Sequence, residues 1–165
     1  MQIQVSEIEK KKARIPHNIF MLNLALIHLL MTPAVIALEI GASGMILPLV
    51  LSLGIIFYTY KHGKSIQNTQ HWFIVKHWAL AIKRYKLLLI SYVITAALIL
   101  TGWLLAMASP DPNMQDILET VFIRIAIMPV LLMVMINFYL ESSAINMASK
   151  GELPDSMKST SSVPS

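Results

Sequence analysis

The segment "HWFIVKHWALAIKRYK", His71 to Lys86, concentrates side chains that bind metals, nucleic acids or lipid headgroups. It holds two histidines, two tryptophans and four cations between long apolar runs. His71 and His77 are six residues apart and would point about 120° from each other on a helix, whereas helical metal pairs are three or four residues apart. Because apolar runs flank the segment on both sides, an anionic lipid surface is a nearer partner than nucleic acid.

As a helix, this segment separates into an apolar arc and a basic arc. Trp and Tyr favour the headgroup layer, and each Lys or Arg gains about 1 kcal/mol beside anionic lipid. We therefore predict an interfacial amphipathic helix over residues 69–86, with both histidines as interfacial polar groups. The residues predicted to contact headgroups are Trp72, Lys76, Trp78, Lys83 and Arg84.

The composition shows what must position this helix. Of 165 residues, 56% are hydrophobic and 13% are charged, about half the charged fraction of a soluble domain. Four runs approach the 20 or so residues that cross a bilayer as a helix, and they lie at residues 19–40, 44–60, 87–108 and 121–140. The predicted fold is all-α, with residues 1–150 forming a single four-helix transmembrane domain and residues 151–165 a mobile cytoplasmic tail.

The cations indicate an orientation. Twelve of the thirteen Lys and Arg residues fall before the first run, between the second and third, or after the fourth. The opposite side receives only "GASG" and "SPDPNMQDILE". The positive-inside rule then predicts a multi-pass inner-membrane protein with cytoplasmic termini. The first run exceeds the 7–15 apolar residues of a signal peptide, so we expect it to be a retained anchor.

His28 lies near the middle of the first run, where a polar group needs a partner or a purpose. We expect it to hydrogen-bond Ser52, Thr32 or a carbonyl group inside the bundle. The alternative is ligation of a b-type haem, which requires a second axial ligand at matching depth. Because no second histidine falls within a run, the prediction is that the protein carries no cofactor, with haem b as the alternative.

Two opposite charges complete the candidate sites. Glu39 ends the first run and Arg124 lies about one turn inside the fourth, so the two are expected at similar depth. A partly desolvated Arg is most easily satisfied by a carboxylate, which predicts that the two residues pair. In a small exporter, Glu39 would instead be a protonatable coupling residue.

These features favour a non-catalytic accessory subunit that packs against a larger membrane complex, with a respiratory or other energy-transducing complex as the candidate partner. The chain contains no nucleotide-binding, hydrolase or metalloprotease motif and no cysteine, so an enzyme is not expected. A small oligomeric transporter or channel using Glu39 and Arg124 is the alternative, and a haem subunit using His28 is the third hypothesis. The predicted partners are anionic lipid and other membrane subunits or further copies of this chain, not nucleic acid.

Overall fold

The computed structural model describes residues 5–38, 44, 46–68, 70–154 and 157, and within these the chain is helical without strands. Four helical stretches are long and apolar enough to cross a membrane, which confirms the all-α, four-span prediction. The helices are α1 (Glu7–Leu22), continued by a π-helix (Asn23–Met31) and α2 (Thr32–Ala37), then α3 (Ile46–Ser65), α4 (Trp72–Ala108) and α5 (Pro112–Lys150).

The chain divides into two compact units. The first contains residues 1–84 and 138–165, and the second contains residues 85–137. The first unit therefore includes α1, the π-helix, α2, α3, the beginning of α4 and the end of α5. The second unit is a helical hairpin made from the rest of α4 and α5.

The last two helices are longer than their predicted spans. At 1.5 Å per residue, the 37 residues of α4 and the 39 of α5 extend for about 55 and 58 Å, against a hydrocarbon core of about 30 Å. Residues 72–86, predicted as a separate interfacial helix, are the first turns of α4. Most of the predicted "SPDPNMQDILE" loop is also helical, because Asp111 caps α5 by accepting the Asn113 N–H at 3.0 Å and Pro112 occupies the first helical position.

The first span begins with a regular cap and changes winding inside the apolar run. Ser6 and Glu9 form a capping box at the start of α1. From Asn23 the helix widens into nine residues of π-helix, and the Thr32 N–H bonds the Ile27 carbonyl five residues back. Pro33 follows, and it has no N–H to continue an α-helical ladder.

The segment after α5 folds back onto α1 and α4. Gly151 has φ of +74°, and the N–H groups of Gly151 and Glu152 bond the carbonyls of Ala148 and Met147 as in a Schellman motif. Leu153 is buried in an apolar cluster with Ala13, Phe73 and Ala148. Gly151 and Leu153 are thus buried while Glu152 is exposed, and the mobility of the tail stays a prediction.

The hairpin of the second unit is closed by small residues. Thr95 donates a 2.7 Å hydrogen bond to the Ala126 carbonyl, which joins α4 to α5. At Gly102 the helices approach so closely that an added Cβ would overlap Cβ of Phe122 and lie 2.6 Å from its Cγ. By contrast, a Cβ at Gly54 on α3 would meet nothing within 4 Å.

These two glycines make a matched pair for a stability test. Gly102→Ala is expected to destabilise the hairpin by about 1–3 kcal/mol. The overlapping atom is Cβ of Phe122, which is bonded to the backbone and cannot move away by side-chain rotation. Gly54→Ala is expected to be neutral or slightly stabilising, since alanine is the better helix former. Thermal unfolding of both variants in detergent measures the difference. Equal melting temperatures for the two variants would contradict the close packing at Gly102.

Candidate functional site: a buried polar chain

Four ionisable side chains and one backbone carbonyl form a continuous hydrogen-bonded chain inside the first unit. We call this set the buried polar chain, and it runs in the order Arg84, Glu141, His17, His77 and the carbonyl of Glu152. The side chains of Glu141, His17 and His77 have no solvent-exposed surface within the protein. The buried polar chain joins α1, the start of α4, the end of α5 and the segment that follows α5.

Each helix presents its polar residue within an otherwise apolar stripe. On α1, His17 lies between Ala13 and Phe20, both fully buried. On α5, Glu141 is followed at intervals of three and four residues by buried Ala144 and Ala148. Because alanine side chains are small, α5 can approach its neighbours closely enough for Glu141 to reach a side chain on another helix.

His77 occupies the corresponding place on α4. It follows buried Phe73 by one turn and precedes buried Ala81 by one turn. The edge of Phe73 packs against the His77 ring with centroids 4.7 Å apart. The imidazole is therefore held between an aromatic neighbour on its own helix and the polar groups of α1 and the chain end.

Glu141 is bound through both carboxylate oxygens. Arg84 Nη1 donates to Oε1 at 3.0 Å and to the Leu140 carbonyl at 2.7 Å, while Oε2 lies 2.6 Å from His17 Nδ1. A buried carboxylate costs several kcal/mol of desolvation unless it is paired and hydrogen-bonded. The guanidinium of Arg84 provides that compensation with a charge-assisted hydrogen bond.

The two histidines meet edge to face. Their ring centroids are 5.2 Å apart with planes at 88°, and His17 Nε2 lies 3.0 Å from His77 Nδ1. The remaining nitrogen, His77 Nε2, donates to the Glu152 carbonyl at 3.2 Å. Such an arrangement can hold a proton and pass it between neighbouring groups.

Two of the five residues predicted to contact lipid headgroups contact other parts of the protein instead. Arg84 binds Glu141 instead of projecting to lipid, and Trp78 is buried against His62 and beside Gly63 of α3. His77, predicted as an interfacial group, is fully buried. The reason is that α3 and the end of α5 cover this part of α4. Trp72 and Lys83 are exposed and Lys76 is half-buried, so their proposed lipid contacts stay predictions.

His28 has one of the partners predicted from its position. Its Nε2 lies 3.3 Å from Ser52 Oγ, and both residues are buried. Thr32, the other predicted partner, donates to the Ile27 carbonyl. Haem ligation by His28 stays a prediction. Among the residues that the structure describes, no three His, Asp or Glu side chains are grouped so as to hold a metal ion.

The predicted pairing of Glu39 with Arg124 stays untested. Glu39 lies outside the described residues, and Arg124 is exposed on α5 in the second unit.

Sequence reasoning missed the centre of the site. Glu141 follows the predicted fourth span by one residue, and no role is assigned to it from the sequence. It is nevertheless the only acidic residue between Arg124 and Gly151. A lone carboxylate beside an apolar run, on the side that also carries His17, His77 and Arg84, was the available signal.

Comparison of the chain with protein-family models, with curated proteins and with solved structures finds no match.

Removing the carboxylate is expected to destabilise the protein strongly. Glu141→Ala would leave Arg84 and His17 buried without their acceptor, at a cost of about 3–5 kcal/mol. The apparent melting temperature in detergent should fall by roughly 10 °C. Glu152→Ala is the matched control, since only the backbone carbonyl of Glu152 takes part. Unchanged melting of Glu141→Ala would show that the buried polar chain contributes nothing to stability.

Proposed function

We propose that this protein is a non-catalytic accessory subunit that packs against a larger complex in the inner membrane, with a respiratory or other energy-transducing complex as the candidate partner. The support is the small extent to which its spans cover one another. Only 17% of the most apolar 18-residue window is buried in each of α4 and α5. A helix that is apolar all round is stable in lipid or against another apolar helix.

One face of α5 favours a protein partner over lipid alone. We call it the α5 stripe, and its members recur at intervals of three and four residues within the second unit: Arg124, Met128, Leu132 and Met135. All are exposed, the last three by 58–69%. An Arg in an apolar stripe is costly in hydrocarbon, by up to about 3 kcal/mol at the bilayer centre, and a carboxylate satisfies it best.

The α5 stripe is the observation that carries the proposal. Flexible methionine side chains are frequent where a surface adapts to a partner. The charge of Arg124 further specifies an acidic group on the partner. Glu39 of this same chain is the predicted alternative, which would leave the rest of the stripe for lipid or a second copy.

The orientation that we propose follows from the lysines. With the cation-rich side in the cytoplasm, both termini and the connection between α3 and α4 face inward, as the positive-inside rule requires. Lys61 and Lys83 are exposed and mark that side, and Asn113 at the start of α5 marks the other.

The absence of cysteine allows a direct test of this orientation. A membrane-impermeant maleimide added to intact cells should label Asn113→Cys and should not label Lys61→Cys. After the membrane is opened, both variants should react, which controls for folding and exposure. Labelling of Lys61→Cys from outside intact cells would reverse the orientation.

Photo-crosslinking tests the accessory role. A photoreactive amino acid at Met128 or Leu132, in the α5 stripe, should give one discrete protein adduct in native membranes, matching a subunit that co-migrates on a native gel. Ile123 is the control, because it is exposed on the same helix about 140° away from the stripe centre. Equal adducts from all three positions would contradict a specific partner.

Other results of the photo-crosslinking and the native gel would distinguish the remaining hypotheses. Adducts only between copies of this chain, with a homo-oligomer of defined size, would replace the accessory role by a transporter or channel. In that case Glu39→Gln should abolish flux if Glu39 couples transport to protons. A Soret band that His28→Ala removes would support the haem subunit instead.

A further inference from the structure

We propose that His17 and His77 share a single proton, and that this proton is a latch that holds the segment after α5 closed over a limited pH range. The inference concerns the first unit alone and does not depend on the accessory role proposed above. It rests on which nitrogen of each ring faces an acceptor.

In each ring, the nitrogen that faces away from the other ring must donate a hydrogen bond. His77 Nε2 faces the Glu152 carbonyl, which can only accept, so this nitrogen carries a hydrogen. His17 Nδ1 faces Oε2 of the Glu141 carboxylate, whose other oxygen accepts from Arg84, so this nitrogen carries a hydrogen as well. In a neutral imidazole, one N–H leaves the other nitrogen with a lone pair.

The two nitrogens that face each other, His17 Nε2 and His77 Nδ1, therefore require a proton or another cation between them. With both rings neutral, the lone pairs of His17 Nε2 and His77 Nδ1 would face each other across 3.0 Å and repel. A third proton converts this contact into an N–H···N hydrogen bond of ordinary length. A metal ion fits less well because it needs further ligands, and the described residues contain no group of three His, Asp or Glu side chains that would supply them.

The charges around the pair limit it to one extra proton. Glu141 stabilises a single imidazolium, whereas Arg84 opposes a second positive ring. If both rings were charged, two N–H groups would point at each other across the inner contact. Lys10, whose Cε would lie 3.3 Å from a Cβ at Gly151, adds a further positive charge beside the chain end.

The pH dependence follows from proton counting. In acid the open form binds two protons and the closed form one, so closed-state stability rises with pH. In base the open form binds none and the closed form still holds one, so closed-state stability falls with pH. The latch is therefore most stable between the two limits.

Opening would act on the chain end. His77 holds the Glu152 carbonyl, and the adjoining Leu153 is buried with Ala13, Phe73 and Ala148. If a second proton separates the two rings, His77 turns away from Glu152 and Leu153 loses its support. The acid-induced change would thus uncover an apolar patch on α1, α4 and α5.

Hydrogen exchange of the full-length protein in lipid nanodiscs tests the latch. On the acid side, the protection factor of the backbone amides of residues 151–153, corrected for intrinsic exchange, should fall about tenfold for each unit by which the pH is lowered, the slope for one proton. In His77→Gln, the protection factor should no longer depend on pH on the acid side. His71→Gln, on an exposed histidine of the same region, should leave that dependence unchanged. The proposal would be overturned if His77→Gln kept the acid-side pH dependence of the protection factor, or if the wild-type protein showed no pH dependence.

A second measurement avoids the risk that His77→Gln fails to fold. In wild-type protein with ¹⁵N-labelled histidine, a shared proton gives a through-hydrogen-bond coupling between His17 Nε2 and His77 Nδ1. Observation of this coupling near neutral pH supports the latch. Its absence, or stability that is lost with chelator and restored by Zn²⁺, would overturn it in favour of two independent rings or a metal site.

Discussion

The first unit depends on satisfying one buried carboxylate. Glu141 has no exposed surface, and its two oxygens are occupied by Arg84 of α4 and His17 of α1. A charge in this position fixes the neighbouring groups, because any helix rotation or shift that removes a partner leaves the carboxylate unpaired. The ends of three helices are therefore held in one register by a single side chain, and His77 extends that constraint to the chain end through Glu152.

The second unit is stabilised by different means. Its hairpin relies on close approach at Gly102 and on the bond from Thr95 to a backbone carbonyl, while most of its apolar surface stays uncovered. Small residues and interhelical hydrogen bonds are the usual basis of helix packing where lipid replaces water and burial of apolar surface offers little advantage. The uncovered surface and exposed Arg124 are the basis of the partner contact that we propose, whereas the first unit is held together by buried polar groups.

Apolar run lengths were sufficient to predict four helices and the depth match of His28 with Ser52, because hydropathy and helical rise are local properties. They were insufficient for Glu141, His17 and His77. A run of apolar residues marks the lipid boundary, but α4 and α5 continue past it, so tertiary contacts exist where the sequence indicates an aqueous flank. The same limitation misplaced Trp78 and Arg84: the amphipathic pattern of residues 72–86 identifies a buried face without revealing whether lipid or another helix covers it.

The ionisation of Glu141 tests this account most directly, since the buried polar chain and the facing lone pairs of the histidines both require a carboxylate. Infrared spectra of wild-type protein with ¹³C-labelled glutamate, compared with Glu141→Gln near neutral pH, isolate this group. We predict that the variant loses a carboxylate band and no protonated carboxyl band. A protonated carboxyl band that disappears in Glu141→Gln would contradict the account, because Glu141 would then be an acid donating to His17 and the histidine pair would need no extra proton.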